Sequence, residues 1–200
     1  MTEQAPRSET SAPARKPDGA IHTVSGRWLN PLAPDVESID IGDIAQALSN
    51  QCRFGGHCRV FYSVAQHCAL VADVCRERGG SAEAAMTALM HDAGEAYLVD
   101  LPHPLKHRTE LGPPYKLAEA QVEKAIRERF GLAPAGPELK RIDRALLATE
   151  RQAFAATGDP WPELEGFEPL AIEIDPWPPE RARNEFLARF QRLDAERRAQ

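Results

Sequence analysis

Three stretches of this chain place acids and imidazoles where a helical pattern calls for apolar side chains, and that conflict constrains its fold more than any other feature. On a helix opened by Ser63, the apolar stripe Val64, Cys68, Val71 and Cys75 also takes in His67 at helical spacing. On a helix predicted from about Ala82 to Leu98, Ala84, Ala88 and Asp92 share one row while Ala88, His91 and Glu95 share the next. A third pattern, from Pro137 to Ala155, sets Asp143, Leu146, Leu147 and Glu150 on one face, so two acids flank a core-facing leucine pair. An ionised carboxylate buried without a partner is costly, and it takes up a proton or finds a cation.

Each residue alone also has an ordinary reading. Taken by itself, His67 reads first as a core histidine bonded to a backbone carbonyl, and Asp143 equally as an ion-pair partner of Arg141, Arg144 or Arg151. Taken together, three helices offering imidazole or carboxylate from apolar stripes point to one divalent cation. Two histidines with two carboxylates suit Mn, Co, Fe, Ni or Zn better than Ca or Mg, which prefer all-oxygen shells.

The rest of the chain supplies a helical frame. Two hundred residues with 42% apolar content allow one sizeable core. Residues 1–20, rich in Pro, Ser, Ala and charge, are expected to be a disordered tail, and 21–200 a single domain. Between Ile21 and Ile41, short apolar runs broken by Ser25-Gly26 and Asn30-Pro31 predict two or three brief strands. Helical patterns run from Asp43 towards Gly55-Gly56, from Ser63, from Ala82, from Pro114 to Phe130, from Pro137 and from Pro179 to about Arg197. Ser63 and Gln66 stand in the relation of a capping box. Gly158 to Pro178 reads as an irregular arm packed by Trp161, Phe167 and Trp177.

A formal charge of −6 leaves no basic stripe for polymeric nucleic acid or an anionic membrane. The cysteines at 52, 58, 68 and 75 form no CxxC pair. No stretch approaches the roughly 18 apolar residues of a membrane span, and no signal-like segment opens the chain. Reduced thiols in a soluble, cytoplasmic protein are therefore expected.

His67, then His91-Asp92, then Asp143 reproduce the H…HD…D pattern of the HD-domain phosphohydrolase superfamily, which the chain resembles from about Ile44 to Arg151. His91-Asp92-Ala93-Gly94-Glu95-Ala96-Tyr97 followed by Asp100-Leu101-Pro102-His103-Pro104-Leu105-Lys106 is similar to its 5'-deoxynucleotidase-like branch. Cys52-Arg53-Phe54-Gly55-Gly56-His57, leading into Phe61 to His67, resembles phage- and prophage-associated members. One departure is Arg53-Phe54, where related deoxynucleotidases carry Arg-Trp.

The resemblance implies an all-α HD-domain helical bundle, here with a short N-terminal extended or β appendage. It also implies one divalent ion on His67, His91, Asp92 and Asp143, and hydrolysis of a phosphomonoester such as a (deoxy)nucleoside 5'-monophosphate. Arg53 would hold the phosphate, Glu95 would do acid/base or water-positioning chemistry, and Asp100 would act beside the leaving sugar oxygen. His57 and Lys106 are expected as further substrate contacts, and a homodimer is expected by the same likeness. Competing expectations are hydrolysis of nucleoside triphosphates or phosphorylated alarmones, and a non-catalytic, metal-stapled nucleotide-binding protein.

Overall fold

A computed structural model describes residues 18–155, 158 and 161–199. The tail expected over residues 1–20 lies outside the described residues as far as residue 17. The first element among the described residues is a small hairpin, β1 (Ile21–His22) and β2 (Trp28–Leu29), antiparallel with Ile21 opposite Leu29. Two residues per strand give it little stability of its own, so it is tied down from outside. Ser25 donates from its backbone N and its hydroxyl to the Asp43 carboxylate, at 2.8 and 2.7 Å, and Leu29 is fully buried.

Helix α1 (Ile41–Asn50) starts where Asp40 accepts from the backbone N–H groups of Gly42 and Asp43. It buries Ile44, Ala45 and Leu48 and stops short of Gly55-Gly56, where the sequence pattern places its end. The chain there turns back along the start of α2, with Arg53 N donating to the Tyr62 carbonyl and Val64 N to the Gln51 carbonyl. A 3-10 turn spans Arg53–Gly56, with Phe54 at φ 57 and Gly55 at φ 59. A non-glycine residue at positive φ is uncommon, and this one sits directly after Arg53.

Helix α2 (Val64–Glu77) is capped by the Ser63 hydroxyl as expected, but Gln66 does not complete the box. Its side chain reaches the irregular arm instead, donating to the Asp175 carbonyl at 2.7 Å and accepting from Trp177 N at 2.8 Å. Two full hydrogen bonds for a 1% exposed amide satisfy it better than a single cap contact. The arm is thereby anchored, and Trp177 and Ile174 join the core.

The single helix expected over 82–98 is two: α3 (Ala82–Leu89) and α4 (Glu95–Leu98), joined by a turn. His91 Nδ1 donates to the Ala88 carbonyl at 2.8 Å, occupying the acceptor that Asp92 N would need to continue the helix. Gly94, a poor helix former, lies in the same turn. Residues 103–108, where Pro102 and Pro104 suggest a loop, form α5 (His103–Arg108) with Pro104 in its first turn. At its junction with α6 (Gly112–Phe130), a Cβ on Gly112 would run into the Lys106 carbonyl, so only glycine fits.

Helix α7 (Pro137–Phe154) and α8 (Pro179–Arg198) complete the chain. The core is one cluster drawn from α1, α2, α3, α6, α7 and α8, with Leu48, Val71, Met86, Leu89, Val122, Leu146 and Phe186 fully buried. Arg189 of α8 grips the Asp73 carboxylate of α2 with Nε and Nη2 at 2.7 to 3.1 Å. The architecture is therefore all-helical with a short β appendage. No helix among the described residues is long and apolar enough to cross a membrane.

Candidate metal centre

Helix α2 lies against α3 and α7, and this packing converges the three polar interruptions read from the sequence. His67 is fully buried. Its Nε2 lies 3.3 Å from His91 Nε2, 3.7 Å from Asp92 Oδ2 and 3.3 Å from Asp143 Oδ1. His91 Nε2 is 3.3 Å from Asp92 Oδ2 and 3.9 Å from Asp143 Oδ1. Ligand atoms of His67, His91 and Asp92 all fall within 4.8 Å of one another; Asp143 Oδ1 lies beside both imidazoles, outside that three-residue group.

These residues fit a cation. Bonds of about 2.0 to 2.2 Å from one ion to nitrogen and oxygen place neighbouring ligand atoms about 3 to 3.5 Å apart. Without a cation the group has to take up a proton instead. Burial and Arg53 both act to lower the His67 pKa, but Glu150 and Asp143 outweigh them and it is pushed up to about 9. Burial would raise Asp143, and the hydrogen bond and charge of His67 hold it well below the usual carboxylate range. The His91 bond to the Ala88 carbonyl fixes its Nδ1 proton and leaves Nε2 as the donor atom.

Behind His67 stands Glu150, the second acid of the α7 stripe and completely buried. It accepts from His67 Nδ1 at 2.6 Å, from the Tyr62 hydroxyl at 2.7 Å and from Arg53 Nη2 at 3.1 Å. Its pKa would be raised by burial, but Arg53 and His67 hold it down. The sequence pattern signals an inward Glu150 through its spacing from Asp143; nothing in it signals Tyr62.

Arg53 is only 13% exposed and spans two acids, with Nη1 3.7 Å from Asp92 Oδ2 while Nη2 holds Glu150. Its Nε is buried with no hydrogen-bond acceptor. Glu95 opens α4, and its carboxyl is pushed up to about 8 by burial and by the nearby charges of Asp92 and Asp100. The α4 segment is tied back to the end of α1, where Gln51 Nε2 donates to the Glu95 carbonyl at 2.9 Å.

The outer candidates are less tightly held. Asp100 lies on the exposed turn after α4, next to Val99 at φ 55. Lys106 donates to Glu119 of α6 at 2.6 Å, and His57 is exposed at the end of the Arg53 turn. Cys52 and Cys58 bracket that turn with their Sγ atoms 3.4 Å apart, and all four cysteines are free.

Two cavities meet His91. One, of about 30 Å³, is lined by Asp92, Glu95, Tyr115 and Glu119 among others. The other, of about 420 Å³, has Asp143 in its wall together with apolar Met90, Ile126, Leu132 and Leu139.

No family model matches the chain. It is 41% identical over 176 residues to the uncharacterized protein YfdR of Escherichia coli (strain K12), covering 86% of this chain and 94% of that protein. The chain belongs to the YfdR family. The name YfdR carries no activity, so the chemistry available to this YfdR family member rests on the geometry of the centre itself.

Proposed function

We propose that this chain is a metal-dependent phosphohydrolase of the HD-domain kind, releasing phosphate from (deoxy)nucleoside 5'-monophosphates. The observation that carries the reading is Arg53: a permanently charged guanidinium with an orphaned, buried Nε, 3.7 Å from a carboxylate of the candidate metal group. A buried donor without an acceptor costs about 1 to 3 kcal/mol, and a phosphoryl oxygen is the acceptor that suits it.

His67, His91, Asp92 and Asp143 would hold one transition-metal ion, which when bound supplies Lewis-acid polarisation of the phosphoryl group and activation of water. Arg53 draws the phosphate against that group. Attack of water oxygen on phosphorus breaks the bond to the 5' oxygen, and the departing oxygen needs a proton. The attacking water gives up a proton as it bonds to phosphorus, and Glu95, beside Asp92 in the wall of the small cavity, is the group placed to pass a proton to the departing oxygen. Lys106 spends its charge on Glu119, so Arg53 carries the phosphate contact. The cavity of about 420 Å³ with Asp143 in its wall is within the size range of small-molecule sites and offers the nucleoside apolar surface.

The test is phosphate release by metal-stripped protein from a panel of deoxy- and ribonucleoside mono- and triphosphates, with Mn, Co, Ni, Zn or Mg restored and Asp92→Ala as control. Metal-dependent release from monophosphates, absent in the control, is expected. Turnover of triphosphates alone would replace the substrate class. No release with any metal would overturn the hydrolase and leave a nucleotide-binding role.

A further inference from the structure

We infer that Glu150 is the positioning residue that turns His67 into a metal ligand, by holding the imidazole proton on Nδ1 and leaving the Nε2 lone pair for the cation. The inference rests on the metal-binding part of the proposed function and not on hydrolysis.

The case is built from donors and acceptors. A neutral imidazole carries one N–H and one lone pair, and the partner of either nitrogen decides which is which. On one side of the ring His67 Nδ1 faces Glu150 Oε1 at 2.6 Å. On the other, His67 Nε2 faces His91 Nε2 and the Asp143 carboxylate at 3.3 Å each. An ionised carboxylate only accepts, so the proton belongs on Nδ1 while Glu150 stays charged. Two neighbours keep it so: Arg53 Nη2 at 3.1 Å on Oε2 supplies the opposite charge, and the Tyr62 hydroxyl at 2.7 Å adds a second bond to Oε1.

Glu150 has a competing explanation as a plain counter-ion for Arg53. The geometry divides the two roles between its oxygens: Oε2 takes Arg53, and Oε1 takes His67 and Tyr62. The shortest of the three contacts is the one to the imidazole. A counter-ion alone has no need of it, whereas a ligand histidine does, since partners behind the ring orient it and raise its basicity.

A glutamine at 150 keeps the shape but replaces one acceptor with an NH2 group. Facing three donors, it leaves either Arg53 or His67 opposed to a donor. Tyr62→Phe is the matched control, because it removes one bond from the same Oε1 and leaves the His67 contact in place. Zinc is the probe, measured by calorimetric titration of metal-stripped protein, with 15N spectra of the histidines in the zinc-loaded wild type as a second readout.

Zinc affinity is expected to fall about 10- to 100-fold in Glu150→Gln and to stay within about threefold in Tyr62→Phe, whatever each does to thermal stability. The wild-type spectrum should show His67 protonated at Nδ1 and ligating through Nε2. Unchanged zinc affinity in Glu150→Gln would overturn the inference. So would an equal loss in both variants, or ligation through Nδ1. Should Glu150→Gln fail to fold, the wild-type spectrum decides alone. Zinc binding as described with no phosphate released from any nucleotide would sink the hydrolase while leaving this role standing.

Discussion

The α2–α7 side of the centre and the α4–α5 side are built differently. On the first, His67 and Glu150 are completely buried, with Tyr62, Arg53 and Asp143 as their polar partners. On the second, Glu95 is held by its backbone through Gln51, Asp100 is exposed beside a residue at positive φ, and Lys106 is paired with Glu119 near the surface. A ligand set gains from rigidity, because a misplaced ligand atom loses the ion. A substrate edge has to admit and release a molecule, and the segments that do so are drawn from the less stable parts of a fold. Under the proposed function, the first side holds the metal and, through Arg53, the phosphate, while the second side admits the rest of the substrate.

Removing a ligand from the rigid side should do the most damage. His67→Ala is expected to lower metal affinity by more than the roughly 100-fold that bounds changes behind a ligand, with hydrolysis lost alongside, as read by calorimetry and phosphate release. Arg53→Ala comes next, since it removes the larger of the two positive charges that hold the buried Glu150 carboxylate and leaves only the His67 imidazolium. Such a loss costs about 3 kcal/mol, visible in denaturant unfolding of the metal-stripped protein, and phosphate inhibition should weaken with it. A destabilisation below about 1 kcal/mol would show that Arg53 and Glu150 are not coupled as the structure has them.

Glu95→Gln tests the looser side by chemistry instead of affinity. A general acid contributes about 10²- to 10⁴-fold, so kcat should fall in that range with metal affinity little changed. In the metal-free protein the Glu95 carboxyl should titrate near 8, and loading a cation should lower it. If Glu95→Gln instead lost the metal, Glu95 would belong with the ligands.

The two sides also leave a pH signature. Glu150 has a folded pKa below its ordinary 4.5, so its stabilisation is present above 4.5 and is lost as pH falls through the folded value. His67 has a folded pKa raised from 6.5 to about 9, so its contribution is full below 6.5 and is lost as pH rises through 9. The Glu95 carboxyl, raised from 4.5 to about 8, costs stability progressively as pH rises from 4.5 to 8. Metal-stripped protein should therefore be most stable near pH 4.5 and lose stability on either side, and saturating metal should reduce the alkaline loss. Thermal melts across pH, with and without metal, check both halves.

The smallest effect is expected furthest out. Lys106→Ala breaks an ion pair that is about one-fifth exposed, worth at most about 1 kcal/mol, and should change phosphate release by less than about threefold. A larger drop in activity would move Lys106 into the phosphate site.

How much the sequence makes legible depends on the range of the forces involved. His67, Asp92 and Asp143 stand out because helical period is a local property, and a charge on an apolar stripe violates it within a few residues. The break after α3 is hidden, because it is made by one side-chain bond from His91 to the Ala88 carbonyl. Gln66 looks like a local cap, yet its partners lie more than a hundred residues away in the arm. Glu150 is visible as an inward acid, whereas Tyr62 and Arg53 reach it only after the chain has folded. The prolines at 102 and 104 mask α5, since proline reads as a break and is also at home in a first helical turn.

The most direct measurement of the central claim is titration of metal-stripped protein with cobalt, monitored by its visible absorption, in the wild type and in Asp92→Ala. A single saturating site per chain with mixed nitrogen and oxygen ligation, lost in Asp92→Ala, is the expected result. Saturable binding that survives in Asp92→Ala, or no saturable binding in the wild type, would contradict a cation held between α2, the turn after α3, and α7.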